Sequence, residues 1–462
     1  MNTASSFGPA FGLGVLLPVT LLLAIPLMVA VRRIGNMPAR FVLIALWLRY
    51  MAGAYHLYMF RPLAAGLSGN ALLSILVTGI GLALIVRPAN LALRWLLPVW
   101  LLIGLTLLSA MLNGDPVGAV DGIVKYLYFI VIAIATYQAL RRDRGGRIIG
   151  WLMVAFLPLI VLQMLSLALV LPKGSEAGDG LVWIGGYNHE GAFSVALFAG
   201  FVVACFARGA PALLRFLFLM ATLIGIQLAG YRTAILALAP LAAATFWMGM
   251  TDSVRRDQRA LVAAAGGILA ATAIGMAAIL YGERFADLAV LLSDPGSFIK
   301  PPREFTFAER QLLSARAYIW SSYLFAWAAG EPWQYMFGMG PGSWEGLFKV
   351  YPHNTLVAML YELGFAGVAA IALLWAVMIL AAWRARGERL KLVAAHVSFV
   401  LLNMATMPFW QVEGLGLYGF LCGYTMYRAG QARRRISGFA PASMTSSGWS
   451  ERKRSTATRQ PS

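Results

Sequence analysis

The chain contains few of the side chains from which most soluble enzymes build an active site. Its 462 residues include two cysteines, four histidines and 19 acidic residues, and only 12% of the residues are charged. Cys205 and Cys422 lie far apart in apolar segments, where we interpret them as small core residues. The sequence has no P-loop, no glycine-rich nucleotide motif and no cluster of metal-ligand residues, so it predicts neither a cofactor nor a metal site.

Apolar residues, by contrast, are abundant along nearly the whole chain. They make up 60% of it, and the mean hydropathy is +0.73. A soluble domain of this length could not bury that much apolar surface. Runs of roughly 17–25 apolar residues recur, each long enough to cross a hydrocarbon core, and they lack the period-two alternation of barrel strands. The predicted fold class is therefore all-α, a polytopic transmembrane bundle of about 12 or 13 spans.

The positions of the basic residues predict the topology of this bundle. With the N-terminus outside, the inside connections and the tail hold 26 of the 37 lysine and arginine residues, and the outside connections hold nine. This positive-inside bias explains the net charge of +18 without a nucleic-acid partner. Arg49 is expected at an interface, near the end of its span. The spans are predicted at 11–31, 41–60, 71–86, 95–112, 117–140, 149–171, 190–207, 214–230, 233–250, 260–281, 353–383, 392–408 and 414–427.

This topology divides the chain into four regions. Residues 1–281 are predicted to form ten transmembrane helices, residues 282–352 one large structured loop on the outer face, and residues 353–430 the C-terminal helices. Residues 431–462 are rich in Ser, Thr, Arg and Gly, which predicts a disordered basic tail on the inner face. Within the loop, apolar residues at helical spacing predict a surface helix from Phe307 to Ala328.

Two arginines lie where a charge is energetically unfavourable. Arg232 falls between two apolar spans that have almost no loop between them, with no acidic residue within ten positions. Arg316 falls on the apolar stripe of the predicted loop helix. Each arginine either extends to the phosphate of a membrane lipid or uses its planar guanidinium to hold the phosphate of a substrate.

His353 is the best candidate for a catalytic base. An apolar run begins directly after Pro352-His353, so His353 lies at or near the start of a helix. The positive end of the helix dipole favours the neutral imidazole, which can accept a proton. The alternative is that His353 is an interfacial polar residue that caps the helix, a role that Asn354 or Thr355 could also fill.

Three further segments on the outer side carry candidate substrate contacts. Asn188 and His189 follow a glycine turn and open another apolar helix, where His189 forms either an acid/base pair with Glu190 or a surface cap. Arg310, in the loop, either contacts the substrate or is a solvated loop charge. Trp320 offers a flat ring against which a sugar could stack.

In their order and spacing, these segments resemble the O-antigen ligase and polymerase superfamily, which are bacterial membrane glycosyltransferases that act on undecaprenyl-diphosphate-linked glycans. The resemblance covers roughly residues 185–382 and includes the single large outer loop. His189 departs from the family pattern, in which a small or apolar residue follows the asparagine. The segments that carry the resemblance are Gly186-Tyr187-Asn188-His189-Glu190, Tyr231-Arg232-Thr233, Ser314-Ala315-Arg316-Ala317-Tyr318-Ile319-Trp320, Phe337-Gly338-Met339-Gly340-Pro341-Gly342, Pro352-His353-Asn354-Thr355 and Glu362-Leu363-Gly364-Phe365-Ala366-Gly367.

The resemblance implies a metal-independent, inverting glycosyltransferase in the bacterial inner membrane, with an active site that faces the periplasm. In that case Arg232 and Arg316 hold the diphosphate of the donor and His353 activates the acceptor. The expected partners are an undecaprenyl-diphosphate-linked oligosaccharide, an acceptor glycan or glycolipid, the lipid bilayer and other polysaccharide assembly or export proteins. The candidate substrate-binding residues are Asn188, His189, Arg310, Asn354 and Trp320.

Three other interpretations remain open at this point. A ligase to lipid A–core shares the donor with a surface-polysaccharide polymerase, which we prefer, and differs only in its acceptor. A lipid-linked oligosaccharide flippase or other transporter would also carry intramembrane arginines, but would line a deep cavity with charges and need no large outer loop. A scaffold of an export complex would tolerate the loss of His353.

Overall fold

A computed structural model of the chain describes residues 10–64, 66–143, 146–175, 180–252, 254–281, 293, 298–311 and 315–437. The predictions for 282–292, for Leu312, Leu313 and Ser314, and for the tail beyond Ser437 lie outside these residues. The helices are α1 (Leu13–Arg33), α2 (Met37–Ala54), α3 (His56–Met59), α4 (Gly69–Ile80), α5 (Pro88–Leu91), α6 (Leu97–Leu112), α7 (Ala119–Arg141), α8 (Ile148–Leu152), α9 (Leu157–Ala168), α10 (Glu190–Phe206), α11 (Ala212–Leu228), α12 (Arg232–Asp252), α13 (Arg259–Tyr281), α14 (Arg316–Ala328), α15 (Pro332–Phe337), α16 (Thr355–Arg384), α17 (Arg389–Asn403) and α18 (Val412–Ser437).

The few strands are short and lie in two connections between helices. The pair β1 (Pro62–Ala64) and β2 (Leu67–Ser68) is antiparallel, as is the pair β3 (Lys173–Gly174) and β4 (Leu181–Val182). The structure is therefore an all-α bundle, as the sequence predicts.

Among the described residues, six helical segments are long and apolar enough to cross a membrane. Four more apolar helices are shorter, and α1 exposes a nearly continuous surface of leucine and isoleucine, as expected for a lipid-facing helix. The fold is that of a helical membrane protein. The six long segments are Leu13–Arg33, Arg94–Leu112, Ala119–Arg141, Ile148–Ala168, Arg232–Met250 and Thr355–Arg384, and the shorter ones are Gly69–Ile85, Glu190–Phe206, Ala212–Leu228 and Arg259–Ile268.

Two helix boundaries differ from those that the sequence suggests. The loop helix α14 begins at Arg316 rather than Phe307, because the chain first forms a 3₁₀ turn at Glu309–Gln311 and Ala315 then adopts a left-handed conformation with φ of 65°. The last helix, α18, continues to Ser437, past the predicted boundary at residue 430.

Helix α7 forms the centre of the bundle and is buried along most of its length. Beyond its first two turns, which carry Asp121 and Lys125, α7 is almost entirely apolar and needs neighbours on all sides, and its most extensive packing is against α18. Gly419 and Gly423, one turn apart on α18, allow this approach. A Cβ atom at Gly423 would lie only 2.3 Å from the carbonyl oxygen of Ala133 on α7. Small residues at such positions let the backbones of membrane helices come into direct contact.

Arg49 lies near the end of α2, as expected, and is buried between α2 and α18. Its Nη2 lies 2.9 Å from Oε1 of Glu413, and its Nη1 donates to the side-chain oxygen of Asn70. A buried arginine requires a paired carboxylate because desolvation of a lone charge costs several kcal/mol. This carboxylate, on Glu413, is 364 positions away from Arg49 in sequence.

The connections between helices collect at two opposite faces of the bundle. We define the loop face as the ends of α2, α6, α9, α11 and α17 together with residues 298–354. On this face Asn113 Nδ2 donates to the carbonyl of Gly338 at 3.1 Å. We define the tail face as the opposite face, where Glu388 pairs with Arg208 at 2.9 Å and with Arg428 at 3.2 Å. All the candidate site residues lie on the loop face.

A break in helix α16 attaches the loop to the bundle. Gly364 adopts φ of 66° and ψ of −162°, which interrupts the helix and leaves the carbonyls of Tyr361 and Glu362 available. The backbone N–H groups of Met339 and Gly340 donate to these two carbonyls at 2.8 and 3.2 Å. The break therefore replaces intrahelical hydrogen bonds with bonds to the loop and fixes the loop against α16.

Candidate functional site

The first part of the site is the tight junction between α11 and α12. Helix α11 ends at Leu228, the chain turns at Gly230 with φ of 68°, and Arg232 begins α12. Tyr231 is buried, whereas Arg232 is half-buried. Arg232 thus lies at the positive end of a long helix, where a guanidinium and the first N–H groups of the helix both favour a bound anion.

Arg316 lies at a second helix start, which meets the first one through Tyr231. The Nη2 atom of Arg316 is 3.5 Å from the Tyr231 hydroxyl oxygen, a contact between residues 85 positions apart. The N-cap of α14 is Ala315, which has no side chain able to accept from the first N–H groups of the helix. Two helix starts and two arginines are therefore brought together around one tyrosine.

The next turn of α14 is hydrogen-bonded to the segment that contains His353. Trp320 follows Arg316 by four residues, or about 6 Å along the helix axis. Its indole N–H donates to the carbonyl of Pro352 at 2.8 Å, directly before His353. Helix α14 thus contacts the Tyr231–Arg232 junction at one turn and the Pro352–His353 segment at the next.

His353 itself has an unusual backbone conformation. Its φ is +53°, a value that costs a residue with a side chain about 1–2 kcal/mol. Its half-buried ring lies against Tyr351, with 4.6 Å between the ring centroids. A strained residue of this kind needs surrounding contacts that hold it in place, and such residues are enriched in functional sites.

The predicted helix start after His353 is confirmed, and Asn354 is its cap. Asn354 Oδ1 accepts from the N–H groups of Leu356 and Val357 at 2.9 and 3.3 Å, and its Nδ2 donates to the carbonyl of Met404 at 3.0 Å. With both ends of its side-chain amide engaged, Asn354 positions His353 and α16 relative to the segment after α17. The helix cap is therefore Asn354 and not His353.

His189 caps α10, as one of the two interpretations of the sequence expects. Its Nδ1 accepts from the N–H of Gly191 at 2.9 Å, so a neutral His189 ring carries its proton on Nε2. A Cβ atom at Gly191 would lie 2.9 Å from Cε1 of His189 and 3.2 Å from Cζ of Tyr231. The start of α10 therefore adjoins Tyr231 as well.

Asn188, directly before this cap, is held through its backbone. Lys173 Nζ donates to the Asn188 carbonyl at 2.9 Å, which ties β3 to the start of α10. The side-chain oxygen of Asn188 is buried and has no hydrogen-bond partner within the described part of the chain. An orphaned buried acceptor beside a cluster of helix starts is available to a hydroxyl donor of a ligand.

The contacts of Arg310 are within the loop. Its guanidinium lies over the ring of Tyr318, 5.1 Å from the centroid, and its Nε donates to the carbonyl of Phe305 at 3.2 Å. A cation over an aromatic ring and a backbone bond hold the loop together. Of the two interpretations of Arg310, these contacts favour a loop residue over a substrate contact.

A cavity of about 310 Å³ lies beside this cluster on the loop face, between α6, α7, α16 and the segment after α17. Trp344 connects it to His353, because its ring lies 5.9 Å from that of Tyr351, which in turn contacts the histidine. The cavity combines aromatic rings with four carboxyl groups and one ammonium group. These residues are Tyr126, Trp344, Phe409, Trp410, Asp115, Asp121, Glu345, Glu362 and Lys125.

Sequence reasoning missed two of these features and partly anticipated a third. Tyr231 and the bond from Trp320 to Pro352 depend on contacts across the fold, and the sequence marks neither beyond their place in the resembling segments. The spacing of Asp121 and Lys125, four positions apart in one apolar segment, predicts the ion pair that they form. Their position on the wall of a cavity has no local signal in the sequence.

No protein-family model matches the chain, and no curated protein matches it. What the site does must therefore be argued from its geometry and its chemistry.

Proposed function

We propose that the chain is a membrane glycosyltransferase that polymerises or transfers an undecaprenyl-diphosphate-linked glycan at the outer face of the bacterial inner membrane. The observation that carries the proposal is helix α14, which places Arg316 against the Tyr231–Arg232 junction and Trp320 against the carbonyl of Pro352, directly before His353. Anion-binding groups and a candidate base are thereby held by one rigid element. Their position on one face of the bundle, beside the described loop residues 298–311 and 315–352, favours an enzyme over a flippase.

In this proposal Arg232 and Arg316 bind the diphosphate of the lipid-linked donor. As the anomeric C–O bond breaks, negative charge grows on the departing diphosphate. Two guanidinium groups and the starts of α12 and α14 stabilise that charge, and the Tyr231 hydroxyl contacts the guanidinium of Arg316. The junction lies at the end of apolar helices, so the polyprenyl chain of the donor remains in the bilayer while its diphosphate reaches the arginines.

His353 would take the proton from the acceptor hydroxyl. The deprotonating hydroxyl attacks the anomeric carbon from the face opposite the diphosphate, which inverts the configuration. The role of Trp320 is to hold the backbone of this residue through Pro352, and Asn354 fixes the helix that follows. The geometry of the base therefore depends on two side chains that do not themselves react.

The aromatic and acidic cavity is a suitable place for the acceptor sugar. Tryptophan rings stack on the apolar faces of sugars, and carboxylates accept bonds from sugar hydroxyls. The cavity has four carboxyl groups and only Lys125 to balance them, which disfavours an acceptor that carries phosphate groups. This charge favours an acceptor sugar without a phosphate group of its own. We prefer a polymerase acting on a glycan repeat unit over a ligase acting on lipid A–core.

The proposal can be tested in a deletion strain complemented with wild-type protein or with one of three variants. These are His353→Ala, Arg316→Ala and, as a matched control, Arg303→Ala, an exposed arginine of the same loop. We expect His353→Ala and Arg316→Ala to lower polymer production by about 100-fold or more, because a general base and a charge-stabilising donor each contribute on that scale. Arg303→Ala should be fully active at equal protein level.

The lipid-linked intermediates separate the alternatives. Single repeat units that accumulate on lipid support the polymerase, and long lipid-linked chains missing from lipid A–core support the ligase. A flippase would instead leave its substrate at the inner face, inaccessible to an externally added glycosidase. Full polymer production by His353→Ala would refute the proposed base and leave a transporter or a scaffold.

A further inference from the structure

A second cavity lies on the tail face, on the side of the bundle opposite the proposed active site. It has a volume of about 620 Å³ and lies between α10, α11, α12 and the start of α17. Its wall is mostly apolar. The side chains that form this wall include Phe201, Phe216, Leu219, Met220, Leu223 and Phe246.

Among the residues that the structure describes, every charged side chain that lines this cavity is a cation. They are Arg208, Arg215 and Lys391. Arg208 is already paired, since its Nε lies 2.9 Å from Glu388, a carboxylate that it shares with Arg428. One carboxylate between two arginines leaves the region with an excess of positive charge.

Lys391 is the most informative of the three cations because it is only 6% exposed. Its Nζ donates to the carbonyl of Cys205 at 3.0 Å and lies 5.4 Å from the centroid of the Phe206 ring. An ammonium group has three N–H donors. The carbonyl, the ring and the nearby carboxylate of Glu388, which Arg208 and Arg428 already share, compensate only part of the cost of burying it. An anion in the cavity would supply the remaining compensation.

The start of α11 adds to the positive potential of the same cavity. Ala212, its first residue, and Arg215, in its first turn, both line the cavity, and the N-cap Pro211 provides no side-chain cap. The first N–H groups of this 17-residue helix therefore remain available to an anion. The start of α11, Arg215 and Lys391 therefore surround one end of the cavity, and its other walls are apolar.

We propose that this cavity binds an anionic phospholipid, with its phosphate between Arg215, Lys391 and the start of α11 and an acyl chain along the apolar wall. An inorganic anion would leave the apolar wall exposed, and a zwitterionic lipid would not compensate the net positive charge. The positive-inside distribution of basic residues assigns the tail face to the cytoplasmic leaflet, so the lipid would come from that leaflet. The proposal does not depend on the function proposed for the loop face.

The test uses the full chain purified in detergent. Native mass spectrometry would measure retained phosphatidylglycerol against phosphatidylcholine for wild type, Arg215→Gln and Lys391→Gln. The control is Arg389→Gln, because Arg389 is an exposed tail-face arginine over Trp383 and does not line the cavity. Glutamine at position 391 keeps an N–H donor for Cys205, and the half-buried Arg215 can be replaced without disturbing the core.

We expect wild type and Arg389→Gln to retain phosphatidylglycerol in preference to phosphatidylcholine, and Arg215→Gln to bind it about tenfold more weakly through loss of a charge-assisted bond. A melting-temperature series with added phosphatidylglycerol should show the same order, because a ligand of the folded state stabilises it. Equal retention of the two lipids, or unchanged retention in Arg215→Gln, would overturn the proposal. Equal stabilisation by inorganic phosphate would overturn the assignment to a lipid.

Discussion

Substitution of Gly364 by alanine tests whether the break in α16 attaches the loop before α16 to the bundle. Gly364 has φ of 66° and ψ of −162°, a region that is essentially accessible to glycine alone. A Cβ atom there would lie 2.3 Å from the carbonyl carbon of Met336 and 2.4 Å from its oxygen. Both neighbours are backbone atoms, so the clash can be relieved only if the loop moves away from the helix.

The expected effect follows from three contributions. The backbone strain of alanine in this conformation costs about 1–3 kcal/mol. Movement of the loop then breaks the bonds from Met339 and Gly340 to the carbonyls of α16, each of which contributes about 0.5–1.5 kcal/mol. The total is about 2–6 kcal/mol. Since α15 and the following segment pack against the break, we expect the loop to detach before the bundle unfolds.

Hydrogen exchange of the purified protein, read out by mass spectrometry, would measure this effect. Peptides covering residues 332–342 should lose protection in Gly364→Ala by about 30-fold or more, while peptides of α7 remain protected. The matched control is Gly104→Ala on α6, where a Cβ atom would meet nothing within 4 Å and alanine should be neutral or stabilising. Wild-type protection of residues 332–342 in Gly364→Ala would refute the attachment of the loop through this break.

Two further predictions concern the loop. Trp320→Phe keeps an aromatic ring but loses the indole N–H that donates to the Pro352 carbonyl before His353. Polymer production should therefore fall about five- to tenfold at an unchanged melting temperature. Full activity of this variant would contradict the positioning role. The Lys300 ammonium and nearby donors lower the pKa of the Glu309 carboxyl from 4.5 to about 2. The ionised carboxyl therefore contributes its full stabilisation above pH 4.5, and this contribution is lost as the pH falls towards 2. Relative to Glu309→Gln, pepsin cleavage near residues 298–311 of wild type should therefore increase over that range, and a constant ratio would contradict the prediction.

The positions of the helices and of their starts could be predicted because they depend on neighbouring residues. Hydropathy over about 20 residues marks an apolar helix, and an abrupt change from polar to apolar residues marks where α12 and α16 begin. Arg232 and His353 were found as candidates for this reason. The start of α14 was predicted too early, because the left-handed conformation of Ala315 has no signal in the apolar spacing.

The partners of these residues could not be predicted, because each contact joins segments that are distant in sequence. The sequence places Arg49 near the end of its span, but it does not predict the pairing with Glu413, beside which Arg49 is buried. The apolar stripe marks Arg316 as a candidate, but it does not predict the contact with Tyr231 that α14 makes possible. Arg310 makes its contacts within the loop. Such pairings depend on which helix faces pack together, and this packing cannot be predicted from a single side chain and its neighbours in sequence.

The sequence by itself therefore determined that this is an α-helical membrane protein, and it determined which polar residues stand at the ends of its helices. Both properties follow from the free energy of placing a residue in lipid or in a helix turn. This free energy depends on the residue and its neighbours in sequence. Only the tertiary structure decided that the starts of α10, α12 and α14 meet at Tyr231, and that Trp320 holds the segment before His353. Those contacts arise from close packing of the whole bundle and of the loop fixed at Gly364, and packing is a property of the complete fold.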